Sequence, residues 1–248
     1  MDTEEFPVLK YTVQLYYSPA QNQQLDSDHS PPLQIASGVL VQTSKKFFLI
    51  TCKHVFDNIK IDDVVILTSM GFAVRLPDSV KFLNDANDSI DLAIIELKSY
   101  RVSELKTVYS FLPYKYLGFS HEFDEELWYM LFGYVNKKTE LEDKAFYAPT
   151  FGYLTTIRRY RNFEKLGFSY ENNVSLEYSR KQSFLDEEVK MLGFKELKGM
   201  SGGGIWLSVA GRRRNTYNYI LVGIMIEERI DRGFVIGTKI GLIEKHIN

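Results

Sequence analysis

The chain has 248 residues, a formal net charge of -2, 45% hydrophobic residues and a single cysteine. That length holds one large domain or two small ones, and a pI of about 6.1 excludes the global basic field that nucleic-acid binding uses. One cysteine, Cys52, excludes an internal disulfide and fits a reducing compartment.

Met1 to Glu5 is acidic and lacks the apolar centre of a secretory signal. No apolar run approaches the roughly 18 residues that a membrane helix needs. The expectation is a cytoplasmic protein with no membrane or nucleic-acid partner. Sixteen Tyr and 17 Phe favour strands over a helical bundle.

Val8 to Tyr17 reads as a first strand, and Ser18 to Pro32 as an exposed polar loop carrying His29. Leu33 to Thr43 and Lys46 to Thr51 form a predicted hairpin turning at Ser44-Lys45. His54 to Asn58 follows as a short helical turn. Val64 to Leu67, Phe72 to Leu76, Val80 to Leu83 and Asp91 to Leu97 are further strands, and Asn84 to Asp88 is a polar turn. Short strands with polar turns predict a small six-stranded antiparallel barrel.

Lys98 to Ser120 is a connector, helical around Val102 to Phe111. A second six-stranded barrel is predicted from Leu127 to Val135, Lys144 to Arg158, Asn173 to Arg180, Gly204 to Ser208, Tyr219 to Ile226 and Gly233 to Lys239. Arg159 to Asn172 is a polar and aromatic link, and Gly211 to Asn215 a basic hairpin tip. Ile240, Ile243 and Ile247 have helical spacing and predict a short closing helix. The predicted organisation is all-β, with one barrel in residues 1–112 and a second in 113–248.

Three stretches carry chemistry. Leu49-Ile50-Thr51-Cys52-Lys53-His54-Val55 is an apolar strand ending on a histidine. Asp91-Leu92-Ala93-Ile94-Ile95 is a strand opening on an aspartate. Lys198-Gly199-Met200-Ser201-Gly202-Gly203-Gly204 places a serine in a glycine cluster. Glycine permits positive φ and close backbone approach, so such a loop can aim successive N–H groups at one point. Taken singly, the three are a structural histidine, a turn aspartate and a glycine-rich turn. Asp88 is a second candidate acid, but it lacks the Leu-Ala that follows Asp91.

Together, in the order His54, Asp91, Ser201, they resemble the chymotrypsin-like serine proteases, in particular the bacterial, disulfide-free branch. Leu131-Phe132-Gly133-Tyr134, Leu221-Val222-Gly223-Ile224 and Gly233-Phe234-Val235 extend the resemblance over nearly the whole chain. The resemblance implies Ser201 as nucleophile, His54 as general base and then acid, and Asp91 as its orienting carboxylate. It implies an oxyanion hole from the backbone N–H groups of Gly199 and Ser201. It also implies that Ile226, Glu227 and Glu228 pair with substrate, with Glu228 and Lys195 at the primary pocket, where they can neutralise each other. Cys52 is expected as a small buried residue. His121 and His246 show no partner pattern, and neither a metal nor a cofactor is expected.

Met200 departs from the secreted members, which carry an aspartate there that pairs with a newly cut N-terminus. What orders the Gly199 loop is therefore open at this point. The expected function is a serine endopeptidase acting on a protein or peptide substrate, gated by a regulatory partner or an effector; a protease active only inside a larger assembly is a separate expectation. The competing expectation is a protease-fold binding module with weak or no catalysis. An α/β-hydrolase esterase is disfavoured: Gly199-Met200-Ser201-Gly202-Gly203 fits its short pattern, but only His246 lies usefully downstream.

Overall fold

The computed structural model describes residues 7–19, 32–68, 73–76, 79–83, 89–136, 150–179, 197–210 and 217–247. The first sheet is built from β1 (Thr12–Tyr17), β2 (Leu33–Gln42), β3 (Phe47–Thr51), β4 (Val64–Leu67), β5 (Ala73–Arg75), β6 (Lys81–Leu83), β7 (Leu92–Glu96) and β8 (Leu112–Pro113). The second contains β9 (Tyr129–Tyr134), β10 (Thr150–Thr155), β11 (Asn173–Glu177), β12 (Gly204–Ala210), β13 (Tyr217–Arg229) and β14 (Phe234–Lys239).

The strand order is β5-β4-β1-β2-β3-β7-β6 in the first sheet, with β8 added beside β2, and β10-β9-β12-β13-β14-β11 in the second. All pairings are antiparallel except β2 with β8. Among the described residues the first sheet therefore has eight strands, not the six expected. All seven stretches read as strands are present, one more than a six-stranded barrel holds, and the unexpected addition is β8, whose two residues are too few to carry a readable alternation. Among the described residues the strand paths end at β5 and β6 and at β10 and β11. A bridge between Ile157 and Leu176 draws the ends of the second sheet together. Two antiparallel sheets are observed, rather than two closed barrels.

The predicted hairpin is present, with Val39 opposite Ile50 and Gln42 opposite Phe47. Its turn is tied by Thr43, whose N–H donates to Lys46 O at 2.9 Å and whose hydroxyl accepts from Lys46 N–H at 3.1 Å. The connector helix is earlier and shorter than expected, Ser99–Leu105. The closing element is a 3₁₀ turn, Ile240–Ile243, followed by a helical turn, Glu244–Ile247. Ile240, Ile243 and Ile247 are fully buried, as their spacing predicts. Among the described residues no helix is long and apolar enough to cross a membrane.

Two apolar clusters share β9. Met130 and Phe132 belong to a cluster with Val13, Leu15, Ile50 and Leu92, whereas Tyr129 and Leu131 belong to one with Met200, Ile205 and Met225. Successive strand residues point to opposite faces, so a strand buried along its whole length serves both clusters. Trp206 (first cluster) and Ile205 (second) divide in the same way on β12. Each fully buried large side chain contributes about 1.5–3 kcal/mol. This shared packing fixes the second sheet against the first and places the Ser201 loop beside β2.

Candidate functional site

His54 lies on a 3₁₀ turn, Lys53–Phe56, directly after β3. Asp91 immediately precedes β7. Thr51 of β3 pairs with Ala93 of β7, so the two residues leave neighbouring strands at the same end of the sheet. The carboxylate grips the histidine twice. His54 Nδ1 is 2.5 Å from Asp91 Oδ2, and the His54 backbone N–H donates to Asp91 Oδ1 at 2.9 Å. The second bond ties the carboxylate to the backbone of the residue it orients, so the acceptor that the ring meets is itself fixed in place. The His54 side chain is 42% exposed, against 17% for Asp91. The imidazole therefore reaches the surface while its carboxylate stays covered. Burial pulls the His54 pKa down, but the hydrogen bond and charge of Asp91, with Asp57 and Glu227 beyond, outweigh it and hold it above 6.5.

The Ser201 loop consists of two successive turns. Met200 N–H donates to Leu197 O at 2.9 Å, and Gly203 N–H donates to Met200 O at 2.7 Å. Gly199 (φ 90°) and Gly202 (φ 85°) occupy the third positions, where a type II turn requires the left-handed region. Space requires glycine as well. A Cβ on Gly202 would lie 2.0 Å from Ser37 O, and one on Gly199 would lie 2.8 Å from Asn136 N. Other N–H groups of the run are occupied: Leu197 donates to Glu228 Oε2 at 2.6 Å, and Gly202 to Met225 O at 2.8 Å. Among the described residues, the N–H groups of Gly199 and Ser201 have no acceptor.

A cleft of about 510 Å³ brings His54, Asp91 and Ser201 together with Ile226, Glu227 and Glu228. β12 pairs with β13 only as far as Ile224, whereas β14 continues along β13 to Arg229. A register shift between Met225 and Glu227 marks the change. Beyond Ile224 the cleft-side edge of β13 therefore lacks a strand neighbour among the described residues. An extended peptide can add to such an edge through main-chain hydrogen bonds. Glu228 crosses the cleft from β13, and its carboxylate accepts the Leu197 N–H on the facing wall. Glu227 pairs with Arg229 at 2.7 Å, and burial is the largest influence raising its pKa.

The structure thus brings together the sequence-expected His54, Asp91, Ser201, Gly199, Ile226, Glu227 and Glu228. Lys195, Asp88, His29 and the Gly211 to Asn215 turn lie outside the described residues, and with Lys195 goes the expected Lys195–Glu228 pair. Sequence reading missed Ser37, Asn136, Asp57 and Phe168. The last two line the cleft, but no pattern in the chain distinguishes them. His121 has a partner after all, the Tyr129 hydroxyl at 3.1 Å.

Cys52, His54 and Asp91 place one potential ligand atom each within 4.8 Å of one another. This donor set does not suit a metal ion. Asp91 is engaged by His54, and the fully buried Cys52 thiol donates to Met225 O at 3.1 Å. Burial, then the charge of Asp91, pushes that thiol well above its ordinary pKa, so it stays protonated.

No family model matches the sequence, and no curated protein matches it significantly. Solved structures do. The inactivated protease paralogue S-I1 of the scabies mite superposes with a TM-score of 0.59 at 16% identity, covering 97% of this chain and 93% of its own. The mite paralogue S-D1 gives 0.58 at 12% identity, with coverage of 96% and 91%. Granzyme C gives 0.55 at 12% identity, with coverage of 96% and 92%. At these identities the likeness shows the fold alone, and the chain has the trypsin-like protease fold.

Proposed function

We propose that the chain is a serine endopeptidase that cleaves protein substrates with Ser201, His54 and Asp91. The observation that carries this reading is the doubly held His54–Asp91 pair, opening onto the same cleft as a serine in a glycine-braced loop. Ser201 Oγ attacks the scissile carbonyl carbon while His54 takes its proton. Asp91 holds the ring's tautomer and stabilises the imidazolium. The N–H groups of Gly199 and Ser201 receive the oxyanion. His54 then gives the proton to the leaving amine, and water repeats the sequence to release the acyl group. A substrate strand pairs along Ile226 to Glu228. The division at residues 112 and 113, the bacterial disulfide-free branch, a cytoplasmic setting and control by a regulatory partner belong to this reading. The single cysteine supports the second and third of these.

A second reading, a binding module with weak or no catalysis, is favoured by two observations. Glu228 crosses the cleft, and two structural neighbours are inactivated paralogues. Digestion of a peptide library by wild type and Ser201→Ala, in buffer and in host lysate, separates them. Cleavage lost in Ser201→Ala supports the endopeptidase, and cleavage seen only in lysate supports control by a partner. Uncleaved peptides in both settings, with one retained in the cleft, support the binding module.

A further inference from the structure

We infer that Ser37 and Asn136 are positioning residues that lock the Gly199–Ser201 loop with both N–H groups facing the cleft, the task that Met200 cannot perform. The inference rests on the endopeptidase reading and assigns the ordering of the loop to the chain's own residues.

Four consecutive carbonyls of the loop are each held by a donor. Lys198 O accepts from Asn136 N–H at 2.6 Å, and Gly199 O from the Ser37 hydroxyl at 2.8 Å. Met200 O accepts from Gly203 N–H at 2.7 Å, and Ser201 O from Ser37 N–H at 2.8 Å. A peptide unit is planar and trans, so its C=O and N–H point in opposite directions. Holding Lys198 O therefore aims Gly199 N–H, and holding Met200 O aims Ser201 N–H. The peptide between them, carrying Gly199 O, is held by the Ser37 hydroxyl. A flip of either outer unit breaks its bond, turns its carbonyl into the cleft and leaves an N–H facing its former donor with no acceptor for either, which is costly.

Ser37 is itself over-determined. It is fully buried on β2. Its hydroxyl accepts from Tyr134 N–H at 2.9 Å while donating to Gly199 O (Tyr134 O, at 3.5 Å, is the weaker alternative), and its carbonyl accepts from the Thr51 hydroxyl at 2.7 Å. Thr51 ends the strand that leads to His54. One residue thus connects the base-bearing strand, the end of β9 and the nucleophile loop. Asn136 continues the brace, its Nδ2 donating to Gln34 O at 2.8 Å, and Gln34 Nε2 donates to Tyr134 O at 3.1 Å. Met200, fully buried in the apolar cluster, is the loop's hydrophobic anchor. Control by a partner then acts on access to the cleft, not on assembly of the loop.

The test combines hydrogen–deuterium exchange of the 197–203 segment with the rate of fluorophosphonate labelling, in wild type, Ser37→Ala and the milder Asn136→Ala. We expect exchange in this segment to rise at least about tenfold in Ser37→Ala, with β9, β12 and β13 unchanged. Labelling slows by about 10- to 100-fold, as partial loss of oxyanion donors predicts. The midpoint of its pH profile stays in place, because the His54–Asp91 pair is untouched. Asn136→Ala keeps the N–H bond to Lys198 O and loses only the Nδ2 bond to Gln34 O that steadies it, so it moves both readouts the same way by less; Asn136→Pro removes the N–H itself and decides the matter if Ser37→Ala does not fold. Unchanged exchange in the loop of the folded variants overturns the inference, whatever the labelling. A wild type that does not label but whose loop loosens in Ser37→Ala overturns the endopeptidase reading and leaves the brace standing.

Discussion

Replacing Gly202 with alanine strikes the point where the nucleophile loop meets the first sheet. The added methyl lies 2.0 Å from Ser37 O and 2.3 Å from Thr51 Oγ1, at a residue whose φ is 85°. The left-handed backbone costs an L-residue about 1–2 kcal/mol. Overpacking a filled site adds about 1–3 kcal/mol. At roughly 2–4 °C per kcal/mol for a chain of this size, the melting temperature falls by about 4–20 °C. Gly167→Ala is the control. Gly167 also has positive φ (87°), but its Cβ would meet nothing within 4 Å, so only the backbone cost remains, roughly 2–8 °C. Thermal melts of both variants, with labelling rates, separate strain from collision. Relief of the collision pushes the Ser37 carbonyl away, and labelling falls with stability in Gly202→Ala alone. Melting of Gly202→Ala within about 2 °C of Gly167→Ala, at wild-type labelling rate, would refute the close approach and the brace argued from it.

Three further predictions concern the cleft. Asp91→Asn preserves the fold but lowers labelling by about 10⁴-fold, because an amide favours the wrong imidazole tautomer; a loss below about tenfold removes Asp91 from the triad. The base must be neutral to act and its pKa is raised, so labelling climbs with pH to a midpoint above 6.5. By the same sign, the stability drawn from protonated His54 is complete below 6.5 and is lost as pH rises through the folded pKa. Asp57→Asn removes one raising charge and moves both midpoints downward, and a pH-rate profile checks it. Glu228→Gly clears the bar between β13 and Leu197 and leaves the Leu197 N–H to water. Peptide-library profiling is expected to show bulkier side chains accepted before the cut, and an unchanged profile would place the primary pocket elsewhere.

The strands, and the three stretches that meet at one cleft, were legible because each rests on local pattern. β-Branched and aromatic runs mark β2, β3 and β9, and glycines mark two turns whose φ values require them. The isoleucine spacing at 240, 243 and 247 likewise matches a buried face. What holds the loop was not legible. Ser37 lies in an apolar strand, 162 residues from the carbonyl its hydroxyl binds, and nothing local distinguishes it from a strand serine. Asn136 acts partly through its backbone, which carries no residue signature. β8 has two residues and depends on a neighbour 71 positions earlier, Val41 beside Leu112, so only folding could reveal it. Glu228 was legible as a charge in the pocket, but its bond to the Leu197 N–H was not.

The most direct measurement is fluorophosphonate labelling of the purified protein, with the adduct located by peptide mass spectrometry, beside Ser201→Ala and His54→Ala. One phosphonyl group is expected on Ser201 of the wild type and none on either variant. A wild type that stays unlabelled at pH 8 in buffer and in host lysate, or an adduct that survives His54→Ala, contradicts that expectation.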